Sequence, residues 1–361
     1  MSDPFALVTE QEEAKTLLRS ALVEGPAHAY LLHGPPGVGK RKSALALASE
    51  LLGDRRRVAE RIHPDLYVLE PVGEQIRIDD VRTLRRDLHM RPFEAERRVY
   101  LIFSAEAMNR EAADALLKDL EEPPGYATFV LVADELGRVS ATIRSRCQLI
   151  AFHRLSEQAI REEVARRGGG HSEDEATALA RIAAGRLDRL ERLLEPTASA
   201  RRLRLLETAR AVYSDPAFEP GHAARTLIET ASERGALARA KAELELEGEQ
   251  LSKRELDQRL RRVERGAERE ELLAMLEEMA AWYRDLVAVA VGAGSVLVHS
   301  DHSSELHSDG LRERLAAATD AVELVRACAR RLQRFNLSPS LALEALFIRL
   351  HALFTGVEAL T

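Results

Sequence analysis

Gly34-Pro35-Pro36-Gly37-Val38-Gly39-Lys40 fits the pattern GxxxxGK. Such glycines let successive backbone N–H groups curl around an anion. A following helix adds the favourable end of its dipole, and Lys40 is long enough to reach the outer phosphates of a nucleotide. An ordinary Gly/Pro turn is the competing reading; a strand before the run and a helix after it favour the phosphate loop. Magnesium chemistry is less well provided for. Position 41 is Arg, where such a loop usually carries the Ser or Thr whose hydroxyl binds Mg²⁺, and Ser43, two residues on, cannot face the same point of a helix. Hydrolysis also needs acidic residues at the end of a later strand, to hold the metal and orient water. Here the strand 99–102 runs into Phe103-Ser104, and Glu106 follows in the next turn, where it reads as a surface residue. The residues predict a phosphate-binding loop without the metal ligands of hydrolysis.

These groups need a scaffold, and the first 150 residues supply one in alternating patterns. Helical stretches are predicted over 10–23, 43–52, 79–88 and 109–122, the last stopped by Pro123-Pro124. Strands are predicted over 28–33, 65–69, 98–103, 127–133 and 148–152. Strands alternating with helices indicate an α/β domain with a mainly parallel sheet. After His153 strand signals nearly vanish: helices are expected over 156–167 and 174–194 around the flexible run Gly168-Gly169-Gly170, and Pro196 marks a boundary. From Arg201 onward the pattern is almost wholly helical. The charged stretch 234–278 reads as a solvated helix or helical hairpin, since Gly248 and Gly266 argue against one uninterrupted coiled coil.

Composition narrows the classes further. At 361 residues with 45% apolar content the chain can build two to three domains, and no apolar run is long enough for a membrane helix. Two cysteines, Cys147 and Cys328, exclude a disulfide scaffold and a zinc site built mainly of thiolates. The N-terminus, MSDPFALVTEQEEAK, lacks the basic region and apolar run of a secretory leader, so the expectation is a reduced, cytoplasmic protein. A net charge of −7 argues against a wholly basic nucleic-acid binder but leaves room for a local basic stripe. Basic residues are six lysines against forty-six arginines, a bias whose plain cause is genomic base composition.

Five segments in order, HAYLLHGPPGVGK (28–40), HPDLYVLEP (63–71), RRVYLI (97–102), ALLKDLEEPP (115–124) and TIRSRCQ (142–148), resemble the clamp-loader branch of the AAA+ family, and LSPSLALEALFIRL (337–350) resembles the end of its collar domain. The resemblance implies an α/β P-loop AAA+ domain over 1–153, a small helical lid over 154–197 and an all-α collar over 198–361 carrying the charged insertion 234–278. Against the family's motor subunits, the metal-binding Ser/Thr falls on Arg41, the acidic pair on Phe103 and Ser104, the first sensor near Ala133-Asp134 and the second-sensor arginine on Asp188, with Arg186 and Arg189 out of register. Four departures imply a subunit that does not hydrolyse ATP; the intact GxxxxGK favours the alternative, an active motor ATPase. Gly34, Gly37, Gly39, Lys40 and Arg41 form the degenerate loop, compatible with ATP or ADP held without hydrolysis.

The same resemblance assigns Ser145 and Arg146 to an arginine finger offered to a neighbour's ATP, with Arg144 as a competitor; on the residues alone, Arg146 is a surface arginine or one half of an internal salt bridge. Cys147 reads as a packing residue. The four-cysteine zinc module of many relatives is missing from 53–62, so no structural zinc or other metal is expected and His63 reads as a turn residue. Arg82 and Arg86, spaced i, i+4 beside Arg85, would meet DNA backbone in the family's arrangement; a solvated face paired with Asp79, Asp80 and Asp87 is the plain alternative. Implied partners are motor subunits of gamma/tau type and a delta subunit through the collar, the sliding clamp and primer–template DNA, with no membrane.

Overall fold

The computed structural model describes residues 3–71, 75–167, 170–246, 252–335 and 337–356. The chain divides into two compact units: Met1–Gly169 with Ala183–Glu191, and Gly170–Ile182 with Arg192–Thr361. The stretch 154–197 is shared between them.

In the first unit the elements run α1 (Glu12–Glu24), β1 (Ala29–His33), α2 (Lys40–Leu52), α3 (Arg55–Ala59), β2 (Leu66–Leu69), α4 (Ile78–Leu88), β3 (Arg98–Phe103), α5 (Arg110–Glu121), β4 (Ala127–Ala133), α6 (Ala141–Arg144), β5 (Gln148–Ala151) and α7 (Glu157–Arg167). The five strands form one parallel sheet in the order β2-β3-β4-β1-β5. Both faces of such a sheet are covered, which is why β3 and β4 are buried at every position rather than alternating. Tyr30, Leu32, Leu101, Phe103 and Val130 join one core with α1 and α2, whereas Leu31, Tyr100, Ile102 and Phe129 join another with α4 and α5.

Two local details differ from the sequence pattern. Helix α2 begins at Lys40 rather than at residue 43, so its first turn rises directly out of the glycine loop. The stretch 53–62 contains α3, capped by Asp54, whose carboxylate accepts the Arg57 N–H at 2.9 Å. Its arginines conceal a one-turn helix that only the cap announces. Further on, Asp65 is fully buried and its carboxylate collects the N–H groups of Phe93, Glu94 and Ala95, pinning the loop before β3. His63 is a turn residue, as read, but a buried one whose Nδ1 accepts the Asp65 N–H at 3.1 Å.

Helices α8 (Glu173–Ala183) and α9 (Leu187–Leu193) follow, and Gly168 and Gly169 of the expected flexible run lie outside the described residues. The second unit is built from α10 (Ala198–Ser214), α11 (Pro220–Glu245), α12 (Lys253–Ala290), α13 (Ser303–Asp309), α14 (Leu315–Arg334) and α15 (Pro339–Thr355). Met275, Met279, Trp282, Tyr283 and Leu286 of α12 form the spine of its core, against Leu205 and Ala209 of α10, Leu227 of α11 and Phe347 of α15. Charged 234–278 covers the end of α11 and most of α12, a helical hairpin whose turn, with Gly248, lies outside the described residues. Gly235 lets the two helices close: a Cβ there would stand 2.5 Å from Glu268 Cγ and 3.1 Å from the Glu264 carbonyl oxygen. Among the described residues no helix is long and apolar enough to cross a membrane.

Candidate functional site

The loop between β1 and α2 has the backbone its sequence demands. Gly34, Gly37 and Gly39 have φ of 136°, 70° and 101°, values that side-chain-bearing residues avoid. Gly39 precedes α2 with no side chain capping it, so the first-turn N–H groups of that helix face the loop. The frame of a phosphate cradle is therefore present.

Its charges are arranged differently. Lys40 is 4% exposed; its Nζ donates to the carbonyl oxygens of Gly34 (2.6 Å) and Pro35 and pairs with Asp134 Oδ1 at 2.9 Å. Asp134 lies just past β4, and here it neutralises the loop's only lysine. On the other side Asp188 abuts the loop so closely that a Cβ on Gly37 would stand 1.8 Å from its Oδ1, and the Leu187 N–H donates to the Gly37 carbonyl at 2.9 Å. Burial works to raise the Asp188 carboxyl, but hydrogen bonds from Arg186 outweigh it and hold the group below its usual range, so it carries a full negative charge at neutral pH. Asp188 thus presents a carboxylate to any phosphate in the loop.

Positions 41 and 103 meet in one packing arrangement. The Arg41 guanidinium lies 4.7 Å from the Phe103 ring centroid and donates to Glu70 Oε1 at 3.1 Å; Arg61 stands over the same ring at 5.7 Å and pairs with Glu70 at 3.3 Å. The Phe103 ring is the seat for the Arg41 cation. Two guanidinium groups around Phe103 do not fit a divalent cation. Ser43 offers no substitute, since it is 1% exposed and turned into the core.

Glu106 corrects the surface reading. It is half-buried, Oε1 accepts the Asp134 N–H at 3.2 Å, and Oε2 is buried without a partner. Burial raises its carboxyl, and the Asp134 charge adds to that, against backbone hydrogen bonds that lower it.

Arg146 lies at the other edge of the sheet. The phosphate loop follows the C-terminal end of β1, beyond His33, which pairs with Ala151; Arg146 precedes β5, whose first residue Gln148 pairs with Tyr30. At ~3.3 Å per residue, the four strand residues Gln148–Ala151 put about 13 Å of strand between them. Ser145 caps α6, and its Oγ donates to the Thr142 carbonyl at 3.0 Å. Arg146 donates to that same carbonyl at 2.8 Å, and its other nitrogen forms an ion pair with Glu121. Cys147 packs against the α4–α5 core, and burial pushes its thiol up to about 12. Arg144 is half-buried with its Nε unpartnered.

On α4, Arg82 pairs with Asp79 at 2.9 Å and Arg85 with Asp119 at 2.8 Å, whereas Arg86 is exposed and meets no acid among the described residues. Asp134, Glu70 and Glu121 were missed as partners. The first two carried a usable signal, since residues just past parallel strands line the edge where the glycine loop lies.

A phosphate loop between the first strand and its helix, in a five-stranded parallel sheet with helices on both faces, defines a P-loop α/β domain of AAA+ type. Residues 10–156 match the family model described as DNA polymerase III, delta subunit. A DNA polymerase III subunit delta' from Pseudomonas aeruginosa is 42% identical over 136 residues, 34% of this chain and 42% of that protein. The subunit delta' of Bacillus subtilis is 32% identical over 162 residues, 42% of this chain and 49% of its own length. The tau subunit of the same organism is 30% identical over 167 residues, 43% of this chain and 30% of the relative. The chain therefore spans less than half the length of each of these relatives. Over residues 10–156 the chain matches that family model and is similar to the delta-prime and tau subunits of DNA polymerase III.

Proposed function

We propose that the chain is a delta-prime-like clamp-loader subunit that does not hydrolyse ATP and supplies Arg146 to the ATP site of a neighbouring motor subunit. The observation that carries this reading is the filling of the metal position by Arg41 seated on Phe103. A hydrolytic site needs a cation there to gather the charge of the transferring phosphoryl group. The separation of Arg146 from the loop supports the second half. A guanidinium at the opposite edge of the sheet is out of reach of a nucleotide in its own loop, but stands at a surface where another subunit's could meet it. To act there it must leave Glu121, a partner half exposed to solvent and therefore inexpensive to give up.

In this reading ATP or ADP held by the loop is held without turnover, Arg82 and Arg86 contact DNA backbone, and the C-terminal helices join motor and delta-type subunits in a collar around a loader that opens the sliding clamp at primed DNA. The test is reconstitution with candidate motor and delta-type subunits. Arg146→Ala is expected to lower DNA-stimulated ATPase activity by ~10³-fold, the lower end of the effect of an arginine finger elsewhere. Unchanged ATPase and clamp loading would sink the finger role. ATP turnover by the isolated chain, abolished by Lys40→Ala, would replace the reading with that of a motor.

A further inference from the structure

The outer part of α12 carries an arginine face that the clamp-loader reading leaves unused. At 100° per residue, positions 254, 258, 261, 262, 265 and 269 fall within about 100° of arc. They are Arg, Gln, Arg, Arg, Arg and Arg. No acid shares that sector: Asp257, Glu264 and Glu268 lie beside it, on the side that α11 covers through Gly235, where Arg239 pairs with Asp257 and Glu264. All six residues are exposed, and they run over about 22 Å at 1.5 Å per residue.

The ends of the stripe are fixed. Ser252 and Glu255 form a capping box in which the Ser252 side chain accepts the Glu255 N–H and the Glu255 carboxylate accepts the Ser252 N–H at 3.0 Å. At the inner end Arg269 donates to the carbonyl of Gln333 at 2.7 Å. Arg261 is drawn to Asp257 at 3.0 Å, while Arg254, Arg262 and Arg265 have no acidic partner among the described residues. Three guanidinium groups without an acidic partner among the described residues thus share one rigid face of a chain whose net charge is −7.

We infer that this face binds the phosphodiester backbone of nucleic acid, without regard to sequence. Guanidinium groups match phosphate oxygens bidentately. The stripe contains no apolar side chain, which disfavours the two other anionic partners: a protein interface is organised around an apolar centre, and a membrane-surface helix inserts one. The surface is distinct from the arginines of α4 and goes beyond the role proposed for the sheet domain.

The test measures binding of the full chain to a labelled 20-base-pair DNA of mixed sequence, at several salt concentrations. Arg82→Gln and Arg86→Gln are present in every protein so that α4 makes no contribution. Arg254→Gln/Arg262→Gln/Arg265→Gln is expected to weaken binding at least about tenfold at low salt and to reduce the slope of log K against log salt by 2–3, roughly 0.9 per lost phosphate contact. The triple lysine variant at the same positions retains most of the affinity, and Lys241→Gln/Arg326→Gln/Arg330→Gln, with the same loss of charge elsewhere in the unit, leaves it within twofold. Equal loss from both glutamine triples, or loss of binding to a poly-glutamate peptide while DNA affinity is unchanged, overturns the assignment.

Discussion

Lys40 and Arg146, at opposite ends of the strands, are held in opposite ways. Around the glycine loop the charges are answered within the domain: Lys40 by Asp134 and two carbonyls, Arg41 by Phe103 and Glu70, and the loop itself by Asp188. At the N-terminal edge Arg146 is held by one exposed ion pair and one carbonyl, both easily exchanged for another partner. Burial explains the contrast. Partners hold a buried cation such as Lys40 strongly, because releasing it leaves a charge in a poor solvent, whereas a surface pair is worth ~0–1 kcal/mol. An edge that answers its own charges serves the fold, and one that holds a guanidinium loosely is free to serve a neighbour.

The sharpest way to break this comparison is to exchange the roles of the two edges in the reconstituted assembly. Arg146→Ala should remove most of the neighbour's stimulated ATPase while Lys40→Ala in this chain leaves it within about twofold; the reverse order would show that the C-terminal edge is the working one. Next comes the loop itself. Removing the carboxylates that guard it, by Asp134→Asn with Asp188→Asn, should strengthen ATP binding by roughly tenfold, equivalent to ~1.4 kcal/mol of relieved repulsion and freed lysine charge. Titration with a fluorescent ATP analogue reads the effect, and an unchanged affinity would mean that the loop is closed by shape rather than by charge.

A smaller effect is expected at Glu106. Its folded carboxyl titrates above the unfolded one, so it favours the fold at pH values below about 4.5, and that contribution is lost as the pH rises through the raised value. Glu106→Gln should therefore raise the melting temperature modestly near pH 8 and leave it unchanged near pH 4. Smallest of all is Glu121→Ala, which should not shift the melting temperature by more than a degree or two and should leave the neighbour's ATPase intact or slightly raised; a large loss would make Glu121 a positioning partner for the finger instead of a resting one.

The sheet was legible because its strands are short, buried apolar runs between turn residues: 98–103 and 127–133 appear where the pattern put them. The loop was legible because only glycine tolerates those dihedral angles. The start of α2 was less so, since Lys40, Arg41 and Lys42 look like solvent-facing residues until the loop places them in the first turn. The partners of the site were hidden for a different reason. Arg41 and Phe103 are 62 positions apart and are joined only by the sheet order, so the sequence displays two unrelated residues where the molecule has one interaction. Glu106 misled because a carboxylate after a strand reads as solvent-facing, and nothing local reports that Asp134 will cover it.

Helix α12 has a mechanical consequence of its own. Its 38 residues extend ~57 Å, with the outer half laid along α11 and the inner half clamped by Trp282, Tyr283 and their neighbours in the core of the helical unit. The section from Lys253 to Leu272 acts as a lever arm of about 28 Å, stiff because no proline interrupts it. A load that shifts the outer end of this hairpin by ~3 Å would turn it by about 6° at the fulcrum. Close-packed side chains resist that rotation, so force applied at the tip would reach the interior with little lost to bending.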